Sequence, residues 1–123
     1  MFAIHDALAG VDYEHVIVLA NTEEYGGGGI YNNITLTSAH NSTFKPVLVH
    51  EFGHAFGGLA DEYHYDNETD TLTYPSSVEP WEPNITTKVD FAQKWENKMG
   101  TDGYDLIEGA GYASKNVFRS SPD

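Results

Sequence analysis

The chain has 123 residues with 19 acidic against 6 basic, a net charge of −13, and 40% hydrophobic and 13% aromatic content. That length fits a single domain with a modest core, and the apolar share is too high for a disordered chain. The charge excludes nucleic acid and anionic membrane as natural partners, since both reward clustered Lys and Arg, and leaves an acidic, solvated surface as the plain reading.

No apolar run approaches the roughly 18 residues that would span a bilayer, so no membrane insertion is expected. With no cysteine, no disulfide reports on compartment. Met1 to Asp6 lacks the basic region and long apolar core of a signal peptide. Asn33, Asn41, Asn67 and Asn84 each open an Asn-x-Ser/Thr sequon, and are read as incidental in an Asn- and Thr-rich chain.

Phe2 to Leu8 reads as the end of a helix stopped by Gly10. His15-Val16-Ile17-Val18-Leu19-Ala20 is a short β-branched run, the pattern of a strand buried on both faces. Helix then buried strand indicates an α/β arrangement, with helices against a sheet. Gly26-Gly27-Gly28-Gly29 reads as a flexible loop shaped for close backbone approach. It is not a phosphate loop, which needs Gly-Lys-Ser/Thr and a following helix. Residues 30–38 then alternate apolar and polar over Ile34 to Thr37, as a half-exposed strand does.

The most informative stretch follows. Ser42 or Thr43 can N-cap a helix in which Pro46 falls within the first turn, where proline is tolerated. This helix carries His50-Glu51-Phe52-Gly53-His54, the His-Glu-x-x-His pattern. Side chains at i and i+4 share a helix face, so His50 and His54 can both aim a ring nitrogen at one metal ion. Glu51, one residue on, leans past the metal and can take a proton from an activated water. The bland alternative is a pair of exposed helix histidines. Against it, Val47, Leu48, Val49, Phe52, Ala55 and Phe56 surround the motif and predict a mostly buried helix, where bare imidazoles seldom stand without a partner. Gly57-Gly58 ends the helix as a left-handed cap does.

The third ligand has several candidates. The longer signature His-x-x-x-His-x-x-Gly-x-x-His is matched at Gly57, but its last position is Ala60. Asp61 is the nearest ligand, with Glu62 and His64 in reserve; carboxylates serve zinc acceptably. His40 is read as structural or exposed.

Residues 64–85 read as a long irregular segment. Asp66, Glu68 and Asp70 could suggest calcium, but an EF-hand loop needs Gly and Glu where Thr71 and Ser77 stand, so an exposed acidic loop is preferred. Tyr65, Tyr74 and Trp81 either hold this loop down or rim a cleft. Val89, Ala92, Trp95 and Met99 have helical spacing and predict an amphipathic helix over 87–99 with Trp95 in the core. Asp105 to Glu108 reads as a short strand, and Tyr112 is a candidate for stabilising an oxyanion.

His50-Glu51-Phe52-Gly53-His54-Ala55-Phe56-Gly57-Gly58-Leu59-Ala60-Asp61-Glu62-Tyr63 resembles the active-site block of the bacterial IgA-peptidase family of zinc metallopeptidases. That signature resembles His-Glu-x-x-His-x-x-Gly-x-x-x-Asp-Glu, with every fixed position matched. A second block, from Glu108-Gly109-Ala110-Gly111-Tyr112 to Phe118-Arg119, is similar to the segment preceding the family's methionine turn. The looser match between and before these blocks covers most of the chain.

The resemblance implies a metzincin-like α+β zincin fold: a mixed twisted sheet, the His-Glu-x-x-His helix and flanking helices. It further implies a zinc endopeptidase, Asp61 as third ligand, and a secreted or cell-surface bacterial location. In such folds the strand before the active-site helix lies at the sheet edge, so residues 30–38 are expected to pair with an extended peptide substrate. Two departures stand out. The family's Tyr-Arg-Pro reads Phe118-Arg119-Ser120, and its turn methionine would fall beyond Asp123, with Met99 a poor substitute. Residues 1–123 are therefore expected to be one partial catalytic domain, cut at both ends, whose activity alone is an open question.

The expected chemistry is peptide hydrolysis by a water activated on zinc at His50, His54 and Asp61, with Glu51 as general base. No serine or cysteine nucleophile competes, because cysteine is absent and no Gly-x-Ser-x-Gly occurs. Two rivals differ in class: a non-catalytic module binding zinc or glycoprotein surfaces, and a metal-dependent amidase acting on a non-peptide bond. A retained Glu51 and an open coordination position favour hydrolysis over the first, since structural zinc sites are usually closed by four protein ligands.

Overall fold

The computed structural model describes residues 2–62, 74–100, 106–109 and 118–121. These fall into two compact units, 1–57 and 58–123. The first holds a short helix α1 (Phe2–Ala7), strands β1 (Val16–Ala20), β2 (Gly27–Ile30) and β3 (Ile34–Ser38), and the long helix α2 (Phe44–Gly57). Its sheet has the order β1-β3-β2. β1 runs parallel to β3, with Val16 opposite Ile34, and β2 runs antiparallel to it, with Gly27 opposite Thr37. The sheet is mixed and α2 lies across β2 and β3, in keeping with an α+β class.

Several expectations are corrected by this topology. Residues 30–38 are not an edge strand: Ile30 ends β2, a turn follows, and β3 is the middle strand. β3 is accordingly nearly all buried rather than half-exposed, with Thr35 and Thr37 almost fully covered. β1, in contrast, is at an edge, so Ile17 and Leu19 stay about half exposed instead of being buried on both faces. The last three glycines of the run, with Ile30, form strand β2 and not a loop. Ile30 borders an apolar hollow of about 280 Å³ with Ile4, Val18, Ile34 and Leu36.

α2 begins just after Asn41 accepts hydrogen bonds from both the amide and the hydroxyl of Thr43, an Asx-type turn that leads the chain into the helix. Gly58, with φ of 64°, ends it in the left-handed conformation that glycine adopts at no steric cost. Only Ala55 is fully buried, while Val49 and Phe56 are 72% and 62% exposed. α2 is half-buried and not mostly buried: its apolar residues spread around the helix, and one side meets the sheet.

The second unit pairs β4 (Ile85–Thr86), β6 (Phe118–Ser121) and β5 (Leu106–Gly109) in that order, all antiparallel. Ile85 is fully buried against Ala60 and Tyr74. The expected helix over 87–99 is absent; two single 3₁₀ turns, Phe91–Gln93 and Glu96–Lys98, stand there instead. Lys88 has a φ of 64°, outside any right-handed helix. Glu79 accepts from the amides of Val89 and Asp90. Trp95 is buried as expected, at 8% exposure, edge-on to Phe91.

Candidate metal centre

Helical spacing brings His50 and His54 together on α2, their Nε2 atoms 3.0 Å apart and their ring planes at 86°. Asp61, four residues past the end of the helix, offers a carboxylate oxygen to the same group. One ligand atom from each of His50, His54 and Asp61 lies within 4.8 Å of the others, so the three could hold a metal ion. His50 is exposed, and the other two are half-buried.

Two contact systems orient α2. Along one side, Val47, Glu51 and Ala55 lie under β2. The fit is so close that a Cβ built on Gly29 would stand 2.5 Å from the Glu51 carbonyl oxygen and 2.9 Å from His54 Cβ. The turn after β2 adds a bond from the Asn32 amide to the Ala55 carbonyl, 2.8 Å. Along the other side, Phe52 and Phe56 stack at 5.0 Å with planes 8° apart, and the His15 ring meets Phe52 edge-on at 5.2 Å. His15 is itself held by the Thr35 hydroxyl at 2.8 Å. The helix thus cannot roll about its axis without breaking one system or the other, which fixes the faces of His50, Glu51 and His54.

Of the reserve ligands, Glu62 is described and accepts a hydrogen bond from Asn84 Nδ2 at 2.7 Å. His64, Tyr65, the 66–70 acidic loop and Tyr112 lie outside the described residues. His40 is structural as expected, bonded to Asn21 Oδ1 at 2.8 Å. Tyr74 donates to Glu82 at 2.6 Å. Burial first, and then the Glu82 carboxylate, push its phenol well above the usual range, so it stays protonated and serves as a structural donor.

Asn84 was legible only as a sequon. Its carboxamide accepts from the Ala60 amide at 2.8 Å and donates to the Ala60 carbonyl at 2.9 Å and to Glu62. It clamps the residues on either side of Asp61. Long-range side-chain bonds of this kind leave no periodicity in a sequence. Gly27 and Gly29 did leave a signal, the glycine run itself, whose reading as an approach surface fits the geometry although its reading as a loop does not.

Residues 3–106 of the chain match the family model described as IgA Peptidase M64. No curated protein matches the chain.

Proposed function

The chain belongs to the IgA Peptidase M64 family, and from that membership we propose that it is a zinc-dependent endopeptidase, with His50, His54 and Asp61 as metal ligands and Glu51 as general base. Family membership supports a peptidase acting on protein or peptide. The observation that carries the metal is the convergence of two imidazoles and a carboxylate within 4.8 Å. Neutral imidazoles facing each other share at most one proton between two nitrogens, whereas a cation can take a lone pair from each. Zinc bonds of about 2.0–2.1 Å at a tetrahedral angle would hold two nitrogens about 3.3 Å apart, close to the 3.0 Å found. Two nitrogens and an oxygen also suit zinc in a catalytic site, which keeps three protein ligands and one open position.

When bound, zinc supplies a water of lowered pKa and polarises the scissile carbonyl. The chain's own groups do the rest. His50 and His54 fix the attacking side by standing one helical turn apart. Glu51 takes the proton of the attacking water at its carboxylate and passes it to the leaving amine. The outer strand that runs over Glu51 is β2. An extended peptide pairing with that edge would bring its main chain to the base through backbone hydrogen bonds alone.

The test is casein or peptide hydrolysis with and without a chelator, alongside Glu51→Ala. We expect chelation to abolish turnover and zinc to restore it. Glu51→Ala should lower kcat by about 10²–10⁴-fold, the usual contribution of a positioned general base. Hydrolysis at the parental rate by Glu51→Ala would sink the mechanism.

A further inference from the structure

Successive residues of a strand face opposite sides, and in β2 this gives the glycines different neighbours. A Cβ on Gly27 would lie 2.7 Å from Val47 Cγ1 and 2.8 Å from both Cγ and Oε1 of Glu51. A Cβ on Gly29 would meet the Glu51 carbonyl oxygen at 2.5 Å, His54 Cβ at 2.9 Å and the Ala55 nitrogen at 3.1 Å. Gly28 faces the other way, and a Cβ there meets nothing within 4 Å. Neither Gly27 nor Gly28 has a positive φ, so an L side chain is compatible with the backbone at both. What separates the two positions is space.

The two helix-facing glycines therefore do different work. Gly29 sets how near the strand comes to the helix, because its neighbours are two backbone atoms and the Cβ of His54, all fixed to the helix and unable to move singly. Gly27 meets side chains. Glu51 Cγ is one bond from a Cβ fixed on the helix, so it can leave only by changing χ1, which carries the carboxylate with it.

We propose that Gly27 is a positioning residue for hydrolysis: the missing side chain leaves the slot in which the Glu51 carboxylate stands. This rests on Glu51 being the general base, as proposed above. A methyl group there would turn the carboxylate aside while leaving the helix and the two histidines where they are. The three atoms nearest that methyl group belong to Val47 and Glu51 and not to a metal ligand, so metal binding and proton transfer become separable.

The test compares Gly27→Ala with Gly28→Ala as matched control, by crystal structure, zinc content and steady-state kinetics. In Gly27→Ala the Glu51 carboxylate is expected to move by about 1 Å, and kcat to fall by about 10²-fold, as misplacement on that scale costs, with KM and zinc content unchanged. Gly28→Ala should match the parent in all respects. A Glu51 carboxylate in the parental position in Gly27→Ala would overturn the proposal, as would a kcat loss shared equally by Gly28→Ala or explained by lost zinc. If Gly27→Ala does not fold, Gly27→Ala with Val47→Ala, which removes the closest contact and leaves the one to Glu51, is read by the same criteria. The crystallographic arm needs no turnover. A parent that hydrolyses nothing would therefore count against the peptidase reading, while the position of the carboxylate still decides what Gly27 does.

Discussion

Asn84 makes three hydrogen bonds with one carboxamide, to the amide and carbonyl of Ala60 and to Glu62. A planar group with one acceptor and two donor hydrogens suits that arrangement, and no other side chain except Gln could copy it. Because the clamp brackets Asp61, its loss should be felt at the metal as well as in stability. Groups that orient a ligand typically cost 10–100-fold in metal affinity when removed. We expect Asn84→Ala to weaken zinc binding by about tenfold in a competition titration. Unchanged affinity would mean that Asp61 is held by other means or is not a ligand. The same geometry disposes of the sequon at Asn84, whose side-chain nitrogen is already committed and whose Thr86 is fully buried.

The loop elements of the second unit are organised around Glu79. It accepts from the Thr87 hydroxyl and the amides of Val89 and Asp90, and pairs with Lys94 at 3.1 Å. Lys94 in turn donates to the carbonyls of Glu82 and Ile85. Burial works to raise the Glu79 pKa, but hydrogen bonds from Thr86, the Asp90 amide, Lys94 and Thr87 prevail and lower it to about 2. A folded pKa below the unfolded value means stability that is present above about pH 4.5 and lost as pH falls towards 2. Urea melts of the parent should therefore lose stability between pH 5 and about 2, and Glu79→Gln should flatten that part of the profile. An identical acid profile in Glu79→Gln would contradict the assignment.

The same unit also shows what the sequence concealed. Val89, Ala92, Trp95 and Met99 do have helical spacing, but Lys88 stands at a φ of 64° that no right-handed helix admits, and tertiary context overrides propensity. Glycine is poor in strands, so a four-glycine run reads as loop until a helix pressed against it is in view. The exposure of β1 and the burial of β3 depend on strand order, which alternation within a single strand does not encode. The helix carrying His50 and His54 was legible because its signal is local: an i, i+4 pair, a glycine stop and an acid just beyond.

Across the whole molecule, 19 acidic groups stand against 6 basic ones, a surface that draws cations without a built site. Metal affinity alone is therefore weak evidence, and dependence on particular imidazoles is the informative quantity. A ligand that binds only the folded state stabilises it by about 2.7 kcal/mol at a hundredfold excess over Kd. Zinc should accordingly raise the melting temperature saturably, and a chelator should reverse the rise. The most direct measurement is zinc content after dialysis, by elemental analysis of the parent and of His50→Ala with His54→Ala. We expect about one zinc per chain in the parent, as a three-ligand catalytic site takes, and none in the double variant. A parent that emerges metal-free, or a double variant that keeps its zinc, would contradict the metal centre on which the proposed hydrolysis depends.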